Sequence, residues 1–262
     1  MTDKVLLSAG RNNFEACYQL SCEYNLGLEL MTFAYPDILD GDWHGVLETY
    51  KRKLTSFTGE LSMHAPFMDL VSGSPDERIN QVCRERYMQA INIAAELSAK
   101  HLVVHANFIG LLHQPSYREG WHRRNVSFWS GISDYAKEFD ITICMENMWE
   151  FAPGIIPELL AEVNHPNLRA CLDIGHAHLY SAPEHTLQDW ITAAKPWLVH
   201  IHMNNNNGRI DVHQALDYKD GVLNYHEVLK QIRALERSPH IVLEMDTIED
   251  MQRSLAFFKL ND

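Results

Sequence analysis

Six short apolar runs in the 262-residue chain close on an imidazole or a carboxylate. They read Ser-Met-His64-Ala-Pro-Phe, Val-Val-His105-Ala-Asn, Cys-Met-Glu146-Asn, Cys-Leu-Asp173-Ile-Gly-His176, His200-Ile-His202-Met-Asn and Val-Leu-Glu244-Met. A carboxylate at the end of a buried run is costly unless it is paired, protonated or bound to a metal. A single histidine in such a place is more often a hydrogen-bonded structural residue than a ligand. Glu146 or Glu244 alone would pass as the partner of an arginine. Six such residues would need six separate structural reasons, whereas a metal centre accounts for all of them. Asp, Glu and His donors without thiolate suit Zn²⁺ or Mn²⁺, with Mg²⁺, Co²⁺ and Fe²⁺ as alternatives. Asp211 and His213, in Gly208-Arg209-Ile-Asp211-Val-His213, are two apart. In extended backbone both face one way and could grip one ion, although the segment alone reads as a solvated turn. His200 lies two residues deeper than His202 on the same face and reads as a core or supporting residue. His176 is preferred to His178 because it follows Asp173 across the Ile-Gly turn.

Residues so placed need a scaffold that brings many strand ends to one mouth. Eight β-rich runs alternate with longer amphipathic stretches: Val5–Ala9, Leu26–Phe33, Leu61–Phe67, His101–Asn107, Ile141–Asn147, Leu168–Ile174, Trp197–Asn204 and Ile241–Asp246. Between them, Glu77–Ala99 and Asn224–Leu235 carry apolar residues at three- and four-residue steps, the period of a one-sided helix. Ser74-Pro75-Asp76-Glu77 predicts a helix start with Pro in the first turn. Alternating strands and helices imply parallel strands joined by helical crossovers. Eight such units fit one α/β domain, a (β/α)8 TIM barrel over residues 1–262, whose chemistry sits at the carboxyl ends of the strands. The alternative is an open doubly wound sheet, but no Gly-x-Gly-x-x-Gly follows the first strand.

Composition narrows the partners. The chain has 46% hydrophobic residues, and its 22 Lys and Arg against 35 Asp and Glu give a formal charge of −13. That disfavours generic polyanion binding, so a nucleic-acid partner would need a local basic patch. No apolar run reaches membrane-spanning length, the N-terminus lacks a signal-peptide core, and the five cysteines lack C-x-x-C spacing, so a cytoplasmic protein is expected.

The residues together resemble the xylose isomerase-like barrels, which include sugar isomerases and epimerases as well as endonuclease-IV-type apurinic endonucleases. The resemblance runs from the second strand onward and rests on HAPF at His64, VVH at His105, MEN at Glu146, LDIGH at Asp173–His176, HMN at His202, DVH at Asp211–His213 and LEM at Glu244. Resemblance to the epimerase branch implies one divalent metal on Glu146, Asp173, His202 and Glu244. Glu146 and Glu244 would then serve as the catalytic acid/base pair, with His176 and Arg209 binding sugar oxygens. Resemblance to the endonuclease branch implies three zinc ions. His64 and His105 would join Glu146 at one, the same four strand-end residues would hold the second, and His176, Asp211 and His213 the third. Two features depart from the endonucleases: the His202–Asp211 segment is shorter, and Asn205 stands where they tend to have Asp.

The favoured reading is therefore a sugar or sugar-phosphate isomerase or epimerase using one to three divalent ions. The ion would chelate a carbonyl and its neighbouring hydroxyl, and two glutamates would move a proton through a metal-stabilised enediolate. The alternative is a zinc phosphodiesterase acting on abasic DNA, with Tyr35, Phe67, Arg118, Trp121, Arg123 and Arg124 as candidate rim contacts. A noncatalytic binding barrel is a third class, disfavoured because every matched ligand position is filled. Phe33, Phe67, Phe108, Trp149 and Tyr180 predict an aromatic-lined mouth. Assembly into a homo-oligomer is left open.

Overall fold

The computed structural model describes residues 3–258 and 260. Eight parallel strands close into a barrel in sequence order, β1-β2-β3-β4-β5-β6-β7-β8. The strands are β1 (Lys4–Ala9), β2 (Gly27–Leu30), β3 (Leu61–His64), β4 (His101–His105), β5 (Thr142–Glu146), β6 (Leu168–Asp173), β7 (Leu198–Met203) and β8 (His240–Leu243). Around them run α1 (Phe14–Tyr24), α2 (Pro36–Leu39), α3 (Trp43–Leu54), α4 (Glu77–Glu96), α5 (Pro115–Glu138), α6 (Ile155–Val163), α7 (Ile174–Tyr180), α8 (Leu187–Ala194), α9 (Tyr225–Arg233) and α10 (Ile248–Ser254). The architecture is the (β/α)8 barrel read from the alternation of runs.

Alternation within each strand explains the two environments. Residues such as Leu28, Leu30, Met63, Leu102, Val104, Ile143 and Met145 face the helices and are fully buried in the main apolar core. Their neighbours face the barrel axis, so Glu29, Ser62, His64, Glu146, Asp173, His200 and His202 are buried there as polar groups. The strands are also staggered. His64 pairs with Val103 and not with His105, Glu146 with Cys171 and not with Asp173, and His202 with Val242 and not with Glu244. This slip is the shear that tilts strands in a closed barrel, and it carries the strand-end side chains round one rim.

Some boundaries differ from the sequence reading. The run Leu26–Phe33 is strand only over Gly27–Leu30, and Thr32–Ala34 turns as a 3₁₀ helix. Asp76 caps α4 by accepting from the Arg78 N–H at 2.9 Å, so Pro75 precedes the helix instead of standing in its first turn. Phe33 and Phe108 do not line the mouth. Both are fully buried, Phe33 edge-on against Tyr50 and Phe108 edge-on against Trp121. Among the described residues no helix is long and apolar enough to cross a membrane.

Candidate metal centre

The carboxyl ends of strands β3 to β8 and the β7–α9 connection build one polar cluster. Glu146, the last residue of β5, stands at its middle. Its Oε2 lies 3.4 Å from His64 Nε2 and 3.3 Å from His105 Nε2, and its Oε1 lies 3.4 Å from His176 Nδ1 and 3.3 Å from His202 Nδ1. Glu244, just past β8, reaches the same His202 nitrogen at 3.0 Å. Asp173 caps α7 by accepting from the His176 N–H at 2.6 Å, and its other oxygen accepts from Asn204 Nδ2 at 3.0 Å. Asn147 fixes the neighbouring strand end by exchanging two hydrogen bonds with the Asp173 backbone, at 2.9 and 3.0 Å. Gly175 has no room for a side chain, because a Cβ there would stand 2.2 Å from Asn204 Oδ1.

The chain returns to the mouth after β7. Asn205 and Gln214 exchange backbone hydrogen bonds at 2.9 and 3.0 Å, folding the intervening loop back over the barrel. That return sets Asp211 Oδ2 3.2 Å from His176 Nε2 and Asp211 Oδ1 3.3 Å from His213 Nε2, while His213 Nδ1 is 3.8 Å from Glu244. All nine residues singled out as ligands, His64, His105, Glu146, Asp173, His176, His202, Asp211, His213 and Glu244, therefore meet in one connected set. His64, His105 and Glu146 could hold an ion, and so could His176, Asp211 and His213. Arg209 stays out of the cluster. It is exposed on the loop and forms no ion pair among the described residues. His178 is exposed, whereas His176 is buried.

Three residues at the mouth lie outside the sequence reading. Glu29, fully buried on β2, places Oε1 2.8 Å from His202 Nε2 and Oε2 2.8 Å from His200 Nε2, and also accepts from the Ser62 hydroxyl at 2.8 Å. A carboxylate inside the otherwise apolar run Leu-Gly-Leu-Glu-Leu is the available signal. Glu150, in the β5–α6 loop, is buried with Oε1 unpartnered, and burial pushes its carboxyl up to about 7. Asn204 opens a run of asparagines that carries no obvious chemistry in the sequence, yet it is the side chain that orients Asp173.

The electrostatics fit a cation. Burial works against a charged Glu146, yet His202 and His105 hold its carboxyl well below the carboxylate range. His176 rises well above the usual imidazole range because Asp173, Asp211 and Glu146 outweigh its burial. Burial likewise opposes charge on Glu244, but His202 and His213 bring it down to about 2. Burial raises Asp173 to about 6, with Glu146 and Glu244 adding to the rise against the pull of His176. Carboxylates packed this closely need compensating positive charge, supplied here by imidazolium protons and equally by a divalent ion. Glu146 Oε2, Glu244 Oε2, Asp211 Oδ1 and both His202 ring nitrogens are buried without an aligned hydrogen-bond partner. Such orphaned donors and acceptors are rare in native proteins, and an ion among them would satisfy the set.

The basic run Arg118–Arg124 lies on α5 and is used by the fold. Arg118 pairs with Glu158 at 2.6 Å, His122 with Glu162 at 2.7 Å, and Arg124 donates to the Gly73 carbonyl. Trp121, a candidate rim contact, is only 2% exposed. Phe67 does sit at the mouth, its ring centroid 4.9 Å from that of His105, and Tyr180 lies 6.1 Å from His176.

Comparison with known proteins agrees with this architecture. The xylose isomerase-like TIM barrel family model matches residues 25–260. An uncharacterised protein of Methanocaldococcus jannaschii, MJ1311, is 32% identical over 206 residues, which is 76% of this chain and 69% of that protein. The TTHB071 protein from Thermus thermophilus, in crystals soaked with zinc chloride, superposes with a TM-score of 0.80 at 26% identity, covering 97% of this chain and 96% of that one. A D-tagatose 3-epimerase-like protein superposes with a TM-score of 0.76 at 23% identity, covering 98% and 95%.

Proposed function

The chain belongs to the xylose isomerase-like TIM barrel family, and from that premise we propose that it is a divalent-metal-dependent isomerase or epimerase of a sugar or sugar phosphate, working as a single barrel domain. The observation that carries the reading is the placement of Glu146 and Glu244 against one histidine nitrogen, 3.3 and 3.0 Å from His202 Nδ1, in a buried mouth with orphaned donors on all sides. Glu146, Asp173, His202 and Glu244 would hold the central ion, with Zn²⁺ or Mn²⁺ best matched to the donors. When bound, that ion polarises a substrate carbonyl and offsets the negative charge that develops on its oxygen.

The chain's own residues supply the proton chemistry. One glutamate takes the proton from the carbon beside the carbonyl, and the C–H electron pair moves into an enediolate. The other glutamate, protonated, returns a proton to the opposite face for epimerisation or to the neighbouring carbon for isomerisation. In the metal-free chain His202 and His105 hold Glu146, and His202 and His213 hold Glu244, below the carboxylate range, so both suit the base. The one acting as acid must first take its proton from a neighbouring imidazolium. His176 is held through Nδ1 by the Asn147 carbonyl at 3.0 Å and through Nε2 by Asp211 at 3.2 Å, so it would reach a sugar hydroxyl only by exchanging Asp211 for the substrate. Tyr180 lies beside His176, and Phe67 beside His64 and His105, as apolar walls of the mouth. A substrate role for Arg209 requires the 206–223 loop to bring it inward. The shared fold of the D-tagatose 3-epimerase-like protein supports a sugar as the substrate class.

The second reading, a zinc phosphodiesterase for abasic DNA, draws on the presence of all nine donors. A survey of ketoses, aldoses and their phosphates in heavy water tests the choice. Metal-dependent exchange of a single carbon-bound proton is expected, abolished by chelation and restored by Zn²⁺ or Mn²⁺. Absence of exchange from every member of the panel, with metal bound, overturns the proposal.

A further inference from the structure

A second group of histidines lies at the opposite, N-terminal end of the barrel. His101 begins β4, His200 lies within β7 and His240 begins β8. Their ring centroids are 4.6 Å (His101 to His240), 5.7 Å (His101 to His200) and 5.8 Å (His200 to His240) apart. One ring nitrogen from each falls within 4.8 Å of the other two. The Nδ1 atoms of all three are buried and have no hydrogen-bond partner. Histidines that merely pack normally satisfy both ring nitrogens, so three orphaned ones at one spot need an explanation.

The other side of two of these rings is fixed. His200 Nε2 lies 2.8 Å from Glu29 Oε2, and His240 Nε2 meets the Glu60 carboxylate. A carboxylate accepting one ring N–H selects the tautomer whose other nitrogen carries the free lone pair, which is how metal-ligating histidines are oriented. The two carboxylates also balance an ion's charge from behind the rings. Burial, with the neighbouring imidazoles adding to it, drives His101 down to about 3, and burial together with His200 drives His240 down to about 4. A cavity of about 610 Å³, lined in part by Lys4, Phe57, Glu60, His101 and His240, leads from solvent to the group.

We propose that His101, His200 and His240 form a second metal site at the barrel floor, three imidazoles for a zinc-like divalent ion whose fourth position opens into that cavity. Three histidine ligands with an open position are a known zinc arrangement, with Zn–N distances of about 2.0–2.1 Å. The three ring nitrogens lie within 4.8 Å of one another, close enough for small rotations about the side-chain bonds to bring them onto one ion. The ion ties β4, β7 and β8 together where no hydrogen bond joins β4 to the other two. Because Glu29 also touches His202, the floor and the mouth share one buried carboxylate.

Crystals of the wild-type protein grown with zinc at a few equivalents, measured on both sides of the zinc absorption edge, test the site directly. An anomalous peak bonded to the three rings is expected, separate from any peak at the mouth. A saturated mouth with no peak at the floor overturns the proposal, and so does the absence of any peak at the floor when the mouth too is empty. In solution, native mass spectrometry of His240→Asn and His101→Asn is expected to show one fewer bound zinc than wild type, and an unchanged count overturns the assignment. Glu60→Gln, which keeps all three ligands, is expected to weaken floor binding about 10- to 100-fold while leaving mouth occupancy intact. Should the histidine variants fail to fold, the wild-type anomalous map still decides.

Discussion

Glu146 touches four histidines at once, so its charge is shared among all of them. Glu146→Gln keeps the shape and removes that charge, and Glu244→Gln does the same on the other side of His202. Each is expected to lower proton exchange into substrate by at least about 10³-fold, in the upper range for a positioned acid or base, with an unchanged far-ultraviolet dichroism spectrum. The titrating groups also predict the behaviour of the metal-free chain. His213 is raised to about 9, Glu244 outweighing its burial, so the stability it contributes is present below its unfolded value of 6.5 and is lost as pH climbs through 9. Glu150, raised by burial to about 7, acts in the same direction, because the folded chain keeps a proton that the unfolded chain releases above 4.5. Glu244, depressed to about 2, contributes stability above 4.5 that is lost as pH falls toward 2. Chelator-stripped protein is therefore expected to melt at a higher temperature at pH 6 than at pH 9. Saturating zinc should shrink the difference, since binding releases the same imidazolium protons. Equal melting temperatures without metal would show that the cluster is not charge-coupled in this way.

At the scale of elements, the loop after β7 is held by one amide. Asn205 Nδ2 donates to the Leu216 and Leu223 carbonyls at 3.0 and 3.2 Å, and its Oδ1 accepts from the Asn206 and Leu223 N–H groups at 3.0 and 3.2 Å. An aspartate there could accept but not donate, which explains physically why the asparagine does not count against the Asp211–His213 group. Asn205→Asp leaves two buried carbonyls facing a carboxylate and is expected to cost about 1–3 kcal/mol, measured by urea unfolding. It should also loosen zinc at His176, Asp211 and His213 more than at Glu146. The strand ends of this barrel were legible because a polar residue closing an apolar run can be seen without knowing the fold. Asp173, His202 and Glu244 therefore stood out, and barrel closure brought them together. Glu29, His101 and His240 were not legible in the same way. The first sits mid-strand and the other two begin strands, where a polar residue ordinarily means solvent. Only the closed, sheared barrel turns them inward toward His200. Phe33 and Phe108 misled for the converse reason, because an aromatic near a strand end reads as a mouth residue whether it faces the axis or the surrounding helices. Trp121 misled because it sits in a basic run that a helix turns partly into the core.

For the whole molecule, the question is which substrate a barrel of net charge −13 admits. Three divalent ions at the mouth and one at the floor would still leave the chain negative. The basic stretch on α5 that could have offset this locally is largely engaged, Arg118 by Glu158 and Arg124 by a backbone carbonyl, with Arg123 exposed. Tight non-specific contact with a duplex depends on neutralising several phosphates, and its affinity falls steeply with salt when those contacts exist. Here Arg118 and Arg124 are committed to other partners, which leaves Arg123 and Arg209 as exposed cations to make them. A small neutral sugar encounters no such barrier, and a sugar phosphate can use the metal charge itself. The chain is thus expected to bind an abasic duplex no more tightly than about 10⁻⁴ M at physiological salt, the weak end of non-specific association. The decisive comparison runs on one zinc-loaded preparation, with nicking of the abasic duplex and proton exchange into sugars measured side by side. Exchange without nicking is expected. Chelator-sensitive nicking without exchange would mean that the nine donors, and not the charge of the surface, decide the chemistry, and the phosphodiesterase reading would replace the epimerase one.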